Sequence, residues 1–324
     1  MAQAFWLITT GITETSMQST MVLAFQCQVL SMMLLVKAVD VHAADSCAGG
    51  VSLLQNSLRV QSRAHGLQRA SKPWETYFYF VGTHHKAGSQ LTRNTMKWAF
   101  DFLGANYSCQ EHHFQHATIT SVGGENKCQV STDCRIHWDN VATQPRVVSN
   151  RELAGAGGMK FAHAVRDPKM MLASSYCYHH RGEEYGNPIA PWPDIMFMGP
   201  REGLHAVFKG MMKIMINMAL IYTKSEADTY HSRYEDMTES SESFDTHVKA
   251  LFDFMFEDLI SPEEHEEIRN RAKKEDLNRG EHGFSAGKNH TNSEDCEAKA
   301  LAVLERSPDL YEPIQELRTA MGYV

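Results

Sequence analysis

No lysine or arginine precedes Lys37, no Cys-x-x-Cys occurs, no G-x-x-x-x-G-K-[ST] loop is present, and no segment repeats. Each absence removes a class of protein. Without Cys-x-x-Cys or a His/Cys ligand spacing, a structural zinc module is not expected. A nucleotide kinase loop needs its lysine directly after the second glycine, and none stands there. Solenoids and propellers need internal repeats. Positive charge is also short, with 31 basic against 39 acidic residues and a net charge of −8. A general nucleic-acid or acidic-membrane binder would need the opposite field, so no nucleic-acid partner is expected. Any anionic ligand must be held by a local basic cluster.

What is present is an ordinary globular composition, 43% hydrophobic and 22% charged over 324 residues. That length predicts one α/β domain of about 250 residues with extra N-terminal sequence. Met21 to Val36 is an uncharged apolar run, followed by Val41-His42-Ala43, a small-x-small cleavage pattern. Residues 1–45 therefore read as a signal peptide or signal anchor. Gln26 and Gln28 weaken the run, and the basic n-region of a signal is missing, with Met17 and Met21 as alternative starts. The expected location is the secretory pathway, in the Golgi lumen or membrane, or the cytoplasm if the run is not a signal. Any membrane contact would come through that N-terminal anchor. Residues 46–73 carry Arg59, Arg63, Arg69 and Lys72 among Gly, Ser and Gln, as a linker or stem would. In an oxidising compartment Cys47, Cys109, Cys128, Cys134, Cys177 and Cys296 make an even set that could pair.

From residue 74 the hydrophobic pattern alternates between two periods. Tyr77 to Val81 and Met159 to Val165 are short apolar runs of the kind buried in a parallel sheet. Leu91 to Leu103 has helical spacing and stops at Gly104, and Pro168 opens a second helix running through His179. Arg201 to Lys224 predicts a long Met-rich helix, Thr229 to Tyr234 a strand, and Phe244 to Phe256 and Pro262 to Lys274 two more helices. The fold class is α/β, a central parallel sheet flanked by helices.

Between the first strand and helix lies Gly82-Thr83-His84-His85-Lys86-Ala87-Gly88-Ser89-Gln90-Leu91-Thr92. Backbone N–H groups of such a turn, the helix N-terminus and the Lys86 charge can converge on an anion. The order Lys86-Ala87-Gly88-Ser89 resembles the P-K-S-G-T-T-W loop of sulfotransferases that use 3′-phosphoadenosine 5′-phosphosulfate (PAPS). The later stretch Val165-Arg166-Asp167-Pro168 with Ser174 resembles that family's 3′-phosphate motif, an arginine at a strand end and a serine eight residues on. Arg233-Tyr234-Glu235-Asp236-Met237 is similar to its R/F-Y-E-D-L/M segment, and Leu317 to Tyr323 to its closing L-G-Y. The resemblance spans about Tyr77 to Tyr323 and implies a three-layer sandwich with PAPS as cosubstrate and no metal.

By position, the resemblance implies that Lys86 stabilises the departing bridging oxygen, while Ala87, Gly88, Ser89, Gln90 and Leu91 bind the phosphosulfate. Arg166 and Ser174 would hold the 3′-phosphate, and Tyr234 would lie against adenine. Arg279-Gly280 partly matches the late R-K-G-x-x-G segment, although the lysine is missing, and Gly287-Lys288-Asn289-His290 offers another alignment. The base is the larger departure. Pro145 to Arg151 resembles the segment that ends in a catalytic histidine, but Arg151 stands in its place and cannot be deprotonated. Glu111, His112, His113 and His116 cluster after the first helix and could supply the base, as could His85. The acceptor would be a hydroxyl or amine on a glycan or other secretory-pathway molecule, with Asn106-Tyr107-Ser108 and Asn289-His290-Thr291 as glycosylation sequons. The alternatives are transfer to a small alcohol or phenol, a P-loop phosphotransferase, and an inactive sulfotransferase-like binding protein.

Overall fold

A computed structural model of the chain describes residues 72–105, 135–224, 226–279 and 292–323. All of these lie in one compact unit, Arg69–Val324. Residues 1–45, most of the linker, Glu111, His112, His113, His116, Gly280, Gly287 to His290, both sequon asparagines and Cys47, Cys109, Cys128 and Cys134 fall outside the described residues.

After a one-turn helix, α1 (Pro73–Thr76), the chain enters β1 (Phe78–Gly82), all five residues of which are buried. Helix α2 (Ser89–Leu103) follows and ends at Gly104, whose left-handed backbone (φ 78°) lets its N–H turn back to the last carbonyls. The next elements are β2 (Ile136–Asp139), α3 (Gln144–Ala154), β3 (Met159–Val165) and α4 (Pro168–His180). Asp167 caps α4, its side chain accepting from the Lys169 N–H at 2.8 Å. Then come α5 (Pro200–Thr223), β4 (Thr229–Arg233), α6 (Tyr234–Thr238), α7 (Ser241–Phe256), α8 (Pro262–Ala272), α9 (Glu294–Leu304) and α10 (Pro308–Ala320).

The four strands form a parallel sheet in the order β2-β1-β3-β4. Alternation along β1 sends Tyr79 and Val81 to one face and Phe78 and Phe80 to the other. Tyr79 and Val81 join Ala162 in a cluster closed by α2, α7 and α8 through Met96, Phe100, Phe252, Phe256 and Ile268. On the opposite face Phe78, Phe80 and Phe161 pack with Val147 and Ala154 of α3 and Ile221 of α5. These two layers and the sheet make the three-layer sandwich. A further core joins α4, α5, α9 and α10. Helix α5 is long and apolar enough to cross a membrane by length and composition, yet Leu204, Val207, Met211, Met215 and Met218 are all buried in that core.

The structure corrects one expectation and adds elements that none covered. Tyr234 does not end β4 but begins α6, since Arg233 is the last paired residue, opposite Val165. Strand β2, four residues at the sheet edge, had no apolar run to mark it. Pro145 to Arg151 lies inside helix α3, and Arg151 is spent there on a two-toothed ion pair with Asp228 (2.7 and 2.8 Å). It ties α3 to the entrance of β4.

Candidate anion site at the strand ends

Because all strands run the same way, the loops after β1, β3 and β4 emerge along one edge of the sheet. Strand order reverses between β1 and β3, with β2 on one side and β4 on the other. A parallel α/β sheet opens a crevice at the carboxyl end of such a reversal. Residues 83–88 leave β1 on one side of it, and Arg166 leaves β3 on the other.

The loop is built to expose its amides. His84 carbonyl oxygen accepts from the Ala87 N–H at 3.0 Å and the Ser89 hydroxyl at 2.7 Å, which folds the turn back on itself. Gly88 sits at φ 81°, in the left-handed region, and no side chain caps α2. The first N–H groups of α2 therefore lack intrahelical partners, and they carry the positive end of a 15-residue helix.

Lys86 is also left-handed (φ 64°). Its Nζ lies 3.4 Å from the centroid of the Tyr178 ring, one turn beyond Ser174 on α4. Arg181 approaches the same ring at 5.2 Å. Among the described residues Lys86 makes no ion pair. Burial, reinforced by Arg166, lowers its ammonium from 10.5 to about 7. An anion bound here would supply the missing counter-charge.

Arg166 is buried, with only 8% of its surface exposed. Its Nη1 donates to the Lys86 carbonyl at 3.0 Å and approaches Ser174 Oγ at 3.4 Å, and its guanidinium lies 4.2 Å from the Tyr234 ring centroid. Arg166 Nε is buried with no hydrogen-bond partner among the described residues. Asn292 Nδ2 donates to Ser174 Oγ at 2.9 Å, while Asn292 Oδ1 is also buried and unpartnered. So Lys86, Gly88, Arg166, Ser174 and Tyr234, far apart in sequence, meet at one place.

Flanking segments are tied to the same edge. Asp167 accepts from Arg318 Nε at 2.9 Å, its N–H donates to Glu235 at 2.9 Å, and Glu235 accepts from the Tyr323 hydroxyl at 3.1 Å. These bonds link the strand-end arginine segment, the Tyr-Glu-Asp segment and the chain's last helix. Arg279 is engaged differently, with both terminal nitrogens 2.8 Å from Asp245 and a further contact to Asp276 at 3.0 Å.

Several neighbours carried no sequence signal. Asn292 and Arg181 belong to no recognised motif. Tyr178 could have been found from its place four residues after Ser174, on the same face of α4. Two histidine groups also gather here. His85 stacks on His179 with centroids 5.2 Å apart, and burial, with Lys86 nearby, holds His85 well below its usual pKa. Deeper in the sheet, His84, His163 and His231 form a line, nitrogen to nitrogen at 2.8 and 2.9 Å.

No protein-family model matches this chain, and no curated protein matches it either. The functional reading therefore rests on the residues themselves.

Proposed function

We propose that this protein is a sulfotransferase that moves the sulfuryl group of PAPS to a hydroxyl or amine acceptor. One observation carries the reading: the buried Arg166 guanidinium sits between the Lys86 carbonyl, Ser174 and the Tyr234 ring, with Nε unpartnered. A buried arginine that has no carboxylate partner among the described residues suits an external anion, and its fork suits a phosphate. In this reading Arg166 and Ser174 grip the 3′-phosphate, and Tyr234 faces the adenine. Lys86, Ala87 and Gly88 with the α2 amides of Ser89, Gln90 and Leu91 hold the 5′-phosphosulfate.

Transfer is direct. The acceptor oxygen or nitrogen forms a bond to sulfur as the bond from sulfur to the bridging oxygen breaks, and Lys86 meets the charge growing on the departing phosphate. Glu111, His112 or His113 takes the acceptor's proton. The resulting requirement is positioning and electrostatics, by analogy with phosphoryl transfer. A secretory-pathway acceptor, a glycan above all, fits the Cys177–Cys296 disulfide, since such bonds persist in oxidising compartments.

Calorimetric titration with 3′-phosphoadenosine 5′-phosphate, PAPS and ATP tests the reading. The two 3′-phosphorylated ligands should bind and ATP should bind far more weakly. Arg166→Ala should weaken both by about 2 to 3 kcal/mol, roughly 30- to 150-fold, and Ser174→Ala by less. Equal affinity for ATP, or an unchanged Arg166→Ala, would remove the assignment. Turnover of labelled PAPS then separates an enzyme from a binding protein.

A further inference from the structure

We propose that His85, His179 and Glu184 form a binding site for a zinc-type divalent cation at the rim of the strand-end crevice. The sequence hides this group, because one ligand follows β1 and the other two lie at and just beyond the end of α4. One ligand atom from each of the three residues lies within 4.8 Å of the others.

His179, in the last turn of α4, is fully buried. Its Nδ1 faces the Glu183 carbonyl oxygen at 3.2 Å, a contact that only a protonated Nδ1 can make as a donor. That fixes the tautomer and leaves a lone pair on Nε2. Nε2 is buried and has no hydrogen-bond partner among the described residues. Anchoring one ring nitrogen on a carbonyl while the other points its lone pair into the site is how metal-binding histidines are oriented.

His85 has no such carbonyl anchor, but its ring lies nearly parallel to that of His179 (13°), its Nε2 is likewise buried with no hydrogen-bond partner among the described residues, and its Nδ1 stands 3.7 Å from Glu184 Oε2. Unmade bonds at buried polar atoms are rare, and two on adjacent imidazoles ask for one shared partner. Glu184 closes the third side. Its carboxylate is half exposed and is steadied by Asn187 Nδ2 at 2.8 Å. Ligand atoms around a tetrahedral zinc stand about 3.3 to 3.5 Å apart, given bonds of about 2.0 to 2.2 Å. Metal binding would draw the three ligand atoms, now within 4.8 Å of one another, in to that spacing.

The donor set selects the ion. Two imidazole nitrogens and one carboxylate suit zinc and its neighbours, whereas magnesium takes oxygen ligands. Three protein ligands leave a fourth position open. Nothing in this assignment depends on what occupies the Lys86 loop, so it can fail while the sulfotransferase reading stands, and the reverse.

The test uses the full chain, stripped with a chelator and titrated with Zn2+ by calorimetry and by competition against a chromogenic chelator. One Zn2+ per chain should bind. His85→Ala, His179→Ala and Glu184→Gln should each weaken it at least about tenfold, the lower end of losses seen even for outer-shell changes. His205→Ala, on α5 away from the cluster, should leave affinity unchanged. Co2+ should give a ligand-field absorption band that the same three variants lose. His179 is a core residue, so His85→Ala and Glu184→Gln, checked for native circular dichroism, decide the matter if His179→Ala fails to fold. Absence of saturable Zn2+ binding, full affinity in those two variants, or equal affinity for Mg2+ would overturn the proposal.

Discussion

Tyr234 packs so closely on Gly88 that a Cβ at position 88 would stand 2.5 Å from its Cδ2. The same ring carries the Arg166 guanidinium on its face. Gly88→Ala would meet two obstacles, the left-handed backbone at φ 81° and the ring itself. The backbone strain costs about 1 to 2 kcal/mol. Chemical denaturation should show that loss, and affinity for 3′-phosphoadenosine 5′-phosphate should fall as Tyr234 is displaced. A Gly88→Ala protein with wild-type affinity would disconnect the ring from the ligand.

Lys86 is proposed to act on charge that develops during transfer. Its removal should appear mainly in turnover. Lys86→Ala should reduce kcat by roughly 10² to 10³ with a smaller change in PAPS affinity. Lys86→Arg should also be slow, because a planar fork does not replace a compact ammonium over the Tyr178 ring. Single-turnover kinetics at saturating PAPS reads this directly, and a wild-type rate in Lys86→Ala would sink the mechanism.

Cys177 on α4 and Cys296 on α9 are disulfide-bonded across a sequence separation of 119. A crosslink closing so long a loop stabilises by about 2 to 4 kcal/mol, chiefly through the unfolded chain. Cys296→Ser should lower the denaturation midpoint accordingly. Reductant should shift the midpoint of the wild-type protein by more than that of the variant, the difference being the share of this bond. An unchanged midpoint in both cases would show that the bond carries no stability.

Acid should destabilise the fold before the carboxylates titrate. Burial holds His163 well below its ordinary value and lowers His231 to about 4, with Arg233 adding to the latter. The groups facing them are His84, the Phe161 ring, Tyr222 and Arg233, none of which offers a negative charge to a protonated imidazole. With folded values depressed, the unfolded chain binds more protons below about 6.5. Stability is therefore full above that pH and lost as pH falls toward about 4. Urea midpoints should decline between pH 7 and pH 5, and His231→Phe should flatten the decline. A level profile in the wild-type protein would contradict this placement.

Much of the sheet was legible because its central strands are short, largely apolar runs: Tyr77 to Val81 and Met159 to Val165 differ from the observed strands by at most one residue at an end. The spacing of Arg166 and Ser174 was legible too, since it lies within one strand-helix unit. Strand β2 was not. Ile136 and Trp138 are buried and His137 and Asp139 only partly exposed, and four residues are too few to show a period. Helix α3 carried no expectation either: of its apolar pair Val147-Val148 only Val147 is buried, which leaves little helical period to read.

The sequence by itself determined the period and order of the main elements and the local chemistry of each loop, because those follow from neighbours along the chain. Only the tertiary structure decided which groups share a site. Parallel pairing of β1 with β3 puts Gly82 beside His163 and so carries the Lys86 loop to Arg166. The fold of α4 and its following turn brings His179 and Glu184 to His85. Packing of α9 on α4 selected the Cys177–Cys296 bond from the many pairings that six cysteines allow. Distances of this kind depend on how sheets and helices pack, and no spacing along one chain encodes them.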